Sequence, residues 1–329
     1  MTSLAAPYDG RRVVITGGLG FIGSNLAMQL ARAGAKVTIV DALIPRHGGN
    51  TRNIYQLPVE VVVADVGDAT MLAPVIADAE YVFNLAGQVS HIDSIDDPLA
   101  DFDLNARSQL AFLELLRRVA PEARVIYAST RQVYGRPRYL PVDELHPVAP
   151  GDVNGVSKYA AEQLHLLYGT IHNMRMTALR LTNTYGPRQR LRGEHMGFMP
   201  VFIARALEGR AITVFGDGSQ ERDCLYVDDV FDSFLLAAQS EAAVGGVFNI
   251  GSNDVFTLAE IAKQVVELAG TGSVEFRPWP REHERIDIGS YHADSTSARD
   301  KIGWTANVNL ADGLQSTIDF YREHMAWYL

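Results

Sequence analysis

Apolar positions in the first half of the chain fall into short continuous runs. They stand at 13–16, 36–40, 59–64, 81–84, 125–128 and 176–181 and are rich in Val and Ile. Runs of this length without a polar face predict parallel strands covered on both sides. Between them the apolar residues recur at helical spacing, over 24–33, 68–77, 99–119 and 153–168. Strand and helix in alternation predict an α/β fold, a doubly wound parallel sheet with right-handed crossovers. Beyond 181 the pattern loosens. Helices are expected over 199–208, 227–238, 258–269 and 310–324, and short strands over 212–215, 246–250 and 274–276. The stretch 187–197, rich in Arg, Gly and polar residues, reads as a mobile loop.

In such sheets ligands sit beyond the carboxyl ends of the strands, so the residues just after each run carry the chemistry. After the first run comes Gly17-Gly18-Leu19-Gly20-Phe21-Ile22-Gly23, opening a helix. Gly17 permits a tight turn, Gly20 lets a diphosphate approach the backbone, and Gly23 lets the helix pack closely. The helix N-terminus adds unpaired N–H groups and partial positive charge. The second run ends at Asp41, where an acid can accept both ribose hydroxyls of NAD and repel a 2′-phosphate. This is a Rossmann pattern. The chain divides into an NAD-binding domain over 1–181, taking sheet contributions from later segments, and a smaller α/β substrate lobe over 182–329. No Pro/Ser-rich hinge separates them, so the two are expected to interleave.

Composition narrows the partners. The 329 residues carry a formal net charge of −10 with no basic cluster, which argues against nucleic acid or an anionic membrane as the main partner. Cys224 is the single cysteine, so there is no internal disulfide framework. It reads as a small buried hydrophobe. No metal-ligating pattern stands out. No segment has signal-peptide or bilayer-spanning character, and a cytoplasmic location is expected.

Further motifs run nearly end to end. They are Asp65-Val66, Asn84-Leu85-Ala86-Gly87, Asn105, Tyr127-Ala128-Ser129-Thr130 before Tyr134-Gly135, Ser157-Lys158 with Glu162, Arg180 to Asn183, Arg222-Asp223, and Asn249-Ile250-Gly251. With the glycine turn, these resemble the extended short-chain dehydrogenase/reductase family in its nucleotide-sugar epimerase/dehydratase branch, UDP-glucose 4-epimerases included. The resemblance implies NAD and a nucleoside-diphosphate sugar. It implies cofactor contacts at Gly17, Gly20, Phe21, Ile22, Gly23, Asp41, Asp65, Val66, Leu85, Ala86, Gly87, Gln88, Asn105, Ala128 and Lys158. It implies substrate contacts at Ser129, Thr130, Arg131, Asn183, Arg222 and Arg285, with Arg281 as a neighbour that could replace the last. Arginine suits such a ligand because its guanidinium grips phosphate with two parallel bonds. A homodimer through the helices over 99–119 and 153–168 is also implied.

Two positions depart from the family pattern. The family's catalytic Tyr stands four residues before the Lys, where a helix brings both to one face. Here that residue is Asn154, and an amide cannot be a general base. Tyr159 lies about 100° round the helix from Lys158. Three readings stay open. Another group takes the proton, with Thr130 and His91 as candidates, His being a residue type that titrates near neutrality. Alternatively substrate or water relays it to Lys158, or the chain binds its ligands without turnover.

The second departure is Arg131-Gln132, where family dehydratases carry an Asp-Glu pair and decarboxylases a Glu. Without those carboxylic acids, dehydration is disfavoured. Arg131 is expected either to pair with a neighbour such as Asp143 or Glu144 or to meet an anionic sugar substituent. The leading expectation is an NAD-dependent nucleotide-sugar epimerase, an enzyme that transiently oxidises a sugar hydroxyl. The alternatives are a net oxidoreductase and a sugar-nucleotide-binding pseudoenzyme.

Overall fold

The computed structural model describes residues 4–45, 47–191, 197–280 and 287–328. In chain order, the first half supplies β1 (Arg12–Thr16), α1 (Phe21–Arg32), β2 (Lys36–Asp41), β3 (Glu60–Val63), α2 (Ala69–Ile76) and β4 (Tyr81–Asn84). It continues with α3 (His91–Asp96), α4 (Pro98–Phe102), α5 (Ser108–Val119), β5 (Arg124–Thr130), α6 (Val153–His172) and β6 (Arg175–Leu181). The second half adds β7 (Asn183–Tyr185), α7 (Phe198–Leu207), β8 (Ala211–Phe215), β9 (Glu221–Arg222), β10 (Cys224–Tyr226), α8 (Val227–Gln239) and β11 (Val247–Ile250). It ends with β12 (Phe256–Thr257), α9 (Leu258–Ala269), β13 (Ser273–Arg277), α10 (Thr296–Ile302) and α11 (Leu310–His324).

Seven parallel strands form one sheet in the order β11-β6-β5-β4-β1-β2-β3. Alternation along each strand feeds two cores. Val13, Ile15, Val37, Ile39, Phe83 and Ile126 pack one face against α1 and α8. Val14, Val40, Val82, Val125 and Met176 pack the other against α2, α5 and α6. Continuous apolar runs arise because both faces are covered. The outer edge is the exception: Glu60, Val61 and Val63 of β3 are exposed, so this strand is not buried on both sides as its composition suggested. The seventh strand comes from the later half, Val247–Ile250 in register with Ala178–Leu181.

The helix expected over 99–119 is several pieces. Helix α3 begins earlier, at His91, with Ser90 as its N-cap. Asp97 then breaks the path with φ −136° and ψ 79°, as a residue before proline tends to, and caps α4, whose first residue is Pro98. A π-helical turn over Asp103–Arg107 joins α4 to α5 and carries Asn105.

The smaller lobe has its own core, built from Met199, Phe202, Ile212, Val214, Ile261, Val265, Leu314 and Ile318. Three two-stranded ladders, β7 with β10, β8 with β13 and β9 with β12, frame it. Its C-terminal end returns to the large domain, where the Tyr328 hydroxyl donates to Asn53 Oδ1 at 2.8 Å and Arg52 stacks 3.7 Å over Trp327. No helix among the described residues is long and apolar enough to cross a membrane. Of the loop expected over 187–197, residues 192–196 lie outside the described residues.

Candidate active site

The glycine turn closes on itself everywhere but one place. Gly17 has φ +66°, and a Cβ there would stand 2.8 Å from the Leu85 carbonyl oxygen. A Cβ on Gly23 would collide with the Gly17 carbonyl. At Gly20 the only neighbour would be the Gly17 oxygen, at 3.2 Å, so the space beyond it is open. Gly20 also caps α1 without a side chain, leaving the first N–H groups of Phe21, Ile22 and Gly23 to other acceptors. At the end of β2, the Asp41 carboxylate accepts the N–H of Leu19 at 3.1 Å and of Leu43 at 2.9 Å. Asp65, after β3, accepts from Gly67 N at 2.7 Å.

Beyond β4, a chain of buried amides shapes the next turn. Thr16 Oγ1 donates to Asn84 Oδ1 at 2.7 Å, and Asn84 Nδ2 donates to Gln109 Oε1 at 2.7 Å. Gln109 Nε2 in turn donates to the Ala86 carbonyl at 3.1 Å. This fixes Leu85-Ala86-Gly87 at the strand end. Gly87, with φ +152°, is required there: a Cβ would meet Asn105 Oδ1 at 2.5 Å and Lys158 Nζ at 2.7 Å.

Lys158 is 4% exposed, its Nζ 5.6 Å from the Tyr127 ring centre. Burial pushes its ammonium down to about 8, with Asp101 pulling the other way. One helical turn before it, Asn154 is 1% exposed. Its Nδ2 donates to the Gln88 carbonyl at 2.9 Å, to Gln88 Oε1 at 3.1 Å and to Asp101 Oδ2 at 2.9 Å. Asn105 joins the cluster, donating to Asp101 Oδ2 at 3.1 Å and accepting from Gln88 N at 3.0 Å. Asn154 Oδ1 and Asp101 Oδ1 are buried without partners among the described residues.

Across from this cluster, the His91 ring sits between two groups. Its Nδ1 meets Asp152, the N-cap of α6, and its Nε2 meets the Gln132 amide at 2.8 Å. Although burial opposes it, the His91 contact and the Gly155 N–H hold the Asp152 carboxyl below its ordinary value. Thr130 Oγ1 accepts Gln132 N at 3.2 Å.

Comparison with known proteins decides what this arrangement belongs to. Residues 13–251 match the model of the NAD dependent epimerase/dehydratase family. The chain belongs to that family. It is similar to the UDP-glucose 4-epimerase of Mycolicibacterium smegmatis, 33% identical over 318 residues, covering 94% of this chain and 98% of the relative. It is also similar to UDP-glucuronic acid decarboxylase 2 of Arabidopsis thaliana, 30% identical over 329 residues, covering 98% of this chain and 71% of the relative. Among solved structures, UDP-glucose 4-epimerase of Thermotoga maritima with UDP-glucose has a TM-score of 0.87 at 31% identity, covering 95% of this chain and 99% of that one.

NAD is the cofactor of the epimerase/dehydratase family. The residues present fit it: the uncapped start of α1 and the open side of Gly20 suit a diphosphate.

Other expected site residues turn to internal work. The Ser129 hydroxyl, 3% exposed, donates to Glu162 Oε2 at 2.5 Å. Glu162 holds Arg180 by two bonds, at 2.9 and 2.6 Å, in a fully buried pair. Arg180 also donates to the Tyr134 hydroxyl at 2.7 Å, which gives its proton to Asn249 Oδ1 at 2.7 Å. Tyr134 is thus a framework residue. Asn154 is committed to Gln88 and Asp101, so it positions its neighbours and does not stand in for a base. Burial raises the Cys224 thiol well above its ordinary value, which keeps it inert.

Toward the smaller lobe, Arg131 donates to Asn183 Oδ1 at 3.4 Å and lies 5.1 Å from the Tyr291 ring centre. Neither Asp143 nor Glu144 pairs with it: Asp143 accepts from Tyr139 at 2.7 Å and Glu144 from Asn249 N at 2.7 Å. Arg222 is buried, donating to the Glu221 carbonyl at 2.7 Å and the Gly289 carbonyl at 2.6 Å, with Asp287 3.9 Å away. Burial and then Arg131 bring its guanidinium down to about 10. Arg285 and Arg281 lie outside the described residues.

Asp101, Asp152 and Gln109 were not singled out from sequence. Asp152 had a local signal, a capping residue just before an apolar-periodic stretch. Asp101 stands four residues before Asn105, on the same helical face.

Proposed function

We propose that this protein is an NAD-dependent nucleotide-sugar epimerase, and that His91 takes and returns the proton the family's tyrosine handles elsewhere. The observation that carries the reading is the His91 ring held between Asp152 and Gln132. Held at the Gly17–Gly23 turn, NAD would supply reversible hydride acceptance for a hydroxyl-bearing sugar carbon, the keto-sugar turning over before the hydride is returned. The protein must then store one proton and restore it. With Nδ1–H directed at Asp152, Nε2 of neutral His91 accepts the Gln132 amide N–H, and that amide turns away before a sugar hydroxyl gives its proton to the same lone pair. Once protonated, Nε2–H needs an acceptor, and rotation of the same amide supplies Gln132 Oε1. Both charge states are therefore accommodated in place.

Lys158 supplies positive charge beside Gly87, which stabilises a developing alkoxide on the sugar. Asn105, Gln88 and Asn154 hold that turn rigid. Arg131 and Gln132, at the positions of the dehydratase carboxylic acids, offer no acid for elimination, which favours epimerisation. Asn183 and Arg222 are assigned to the sugar nucleotide, and the Gly17–Gly23 turn, Asp41 and Asp65 to the dinucleotide.

The protein works as a homodimer in this reading. Ile95, Leu99, Phe102, Val156, Leu167 and Ile171 expose an apolar face on α3, α4 and α6, three packed helices. Light scattering reads the mass.

The test of the reading is incubation of purified protein with a panel of UDP-, dTDP-, CDP- and GDP-sugars without added NAD. A stereoisomer is expected, and His91→Asn lowers its rate of formation by at least tenfold while NAD stays bound. Stoichiometric NADH instead of isomer contradicts the reading, as does full activity of His91→Asn.

A further inference from the structure

Among the described residues Arg131 is a cation without a counter-ion. It follows Thr130 at the end of β5 and precedes Gln132, whose amide meets the His91 ring. Among the described residues no carboxylate stands within ion-pair distance of it. Its one hydrogen bond among the described residues, to Asn183 at 3.4 Å, is long, and a guanidinium has five donors. The two acids that act on it electrostatically, Asp223 and Asp152, are engaged elsewhere. Asp223 accepts from the Thr182 hydroxyl and from Ala293 N at 3.0 Å, and Asp152 from Gly155 N at 2.7 Å as well as contacting His91. Arg222 is a second guanidinium, close enough that Arg131 disfavours its charge. Asn183 Nδ2 is buried and has no acceptor. Unmatched donors of this kind are costly unless a ligand completes them.

We infer that Arg131 and Asn183 Nδ2 form a carboxylate-binding site, and that the substrate class is a nucleoside-diphosphate sugar bearing an acid group on its ring, a uronate. This rests on the epimerase reading above. A diphosphate offers the same chemistry, but position favours the sugar. Arg131 directly precedes Gln132, whose amide meets the ring assigned to the proton, whereas Arg222 lies in β9 of the smaller lobe. The planar guanidinium stacked on Tyr291 is preset for the two parallel bonds a carboxylate accepts.

Binding is measured by titration calorimetry on the NAD-loaded protein, with UDP-glucuronate against UDP-glucose and with the matching pair on other nucleobases. The wild-type protein is expected to hold the uronate about 10–100-fold more tightly than the neutral hexose. Arg131→Gln removes that difference, and Arg131→Lys, which keeps charge but loses the fork, retains only part of it. Equal wild-type affinities overturn the inference while leaving the epimerase reading intact. So does an Arg131→Gln variant that weakens both ligands by one factor, since Arg131 then serves the diphosphate. Failure to bind any sugar nucleotide overturns both. The wild-type comparison needs no variant to fold.

Discussion

Two strand ends face the same side of the sheet and are finished differently. At the end of β1 the chain completes itself: backbone fills the space at Gly17 and Gly23, and Asp41 has two backbone donors. Only the helix start beyond Gly20 is left for a ligand. Around the end of β5 and the start of α6, where α4 and β7 also contribute, buried polar atoms lack partners among the described residues: Asp101 Oδ1, Asn154 Oδ1, Gln132 Oε1 and Asn183 Nδ2. The first end holds one ligand by shape and can be finished in advance. The second must meet groups that change during a reaction, so part of its bonding is deferred to the substrate.

The sharpest way to break this contrast is at Lys158. Lys158→Met is expected to lower turnover by about 10²–10⁴-fold while NAD binding at the other end survives. Steady-state kinetics with a count of bound NAD checks it, and joint loss of both would mean the two ends are one unit. Next in size is Glu162→Ala, which leaves Arg180 buried and unpaired and should cost about 3–5 kcal/mol in urea unfolding.

Within the self-completed end, two glycines should separate. Gly23→Ala forces the Gly17 carbonyl aside and should cost about 1–3 kcal/mol of stability. Gly20→Ala places its methyl 3.2 Å from the Gly17 oxygen alone, a milder contact than at Gly23, so it should cost less stability than Gly23→Ala while NAD affinity falls.

The smallest effect concerns pH. Burial brings Lys158 to about 8, so its charge is lost as pH rises through that value, and kcat/KM should decline on the alkaline side. Asp101 opposes that loss. In Asp101→Asn the ammonium gives up its proton more readily, and the alkaline limb of the pH profile moves to lower pH. An unmoved limb would remove Asp101 from the account.

The same contrast explains what could be read in advance. The turn after β1 is local: strand, glycines, helix and Asp41 follow one another, and periodicity with spacing reveals them. The strands were legible because burial on two faces leaves continuous apolar runs, and β3 misled because Val61 and Val63 are apolar yet sit at an open edge. The stretch 99–119 reads as helical by period. Nothing in that period shows the π turn at Asp103–Arg107, and the break at Asp97 lies before it. The reacting end is assembled from contacts between distant residues. Asn154 meets residues 53 and 66 positions away, and His91 meets one 61 positions away. No local pattern encodes such pairs, so Asn154 could be seen to be no base, but not what it holds.

Internal hydride return is the central claim, and isotope tracing tests it most directly. A substrate found by the panel is converted in D₂O, and the hydrogen on the inverted carbon is examined by NMR. The account predicts that this carbon keeps its original hydrogen, with no deuterium gained. Deuterium incorporated there would mean inversion by proton exchange with solvent and would contradict it.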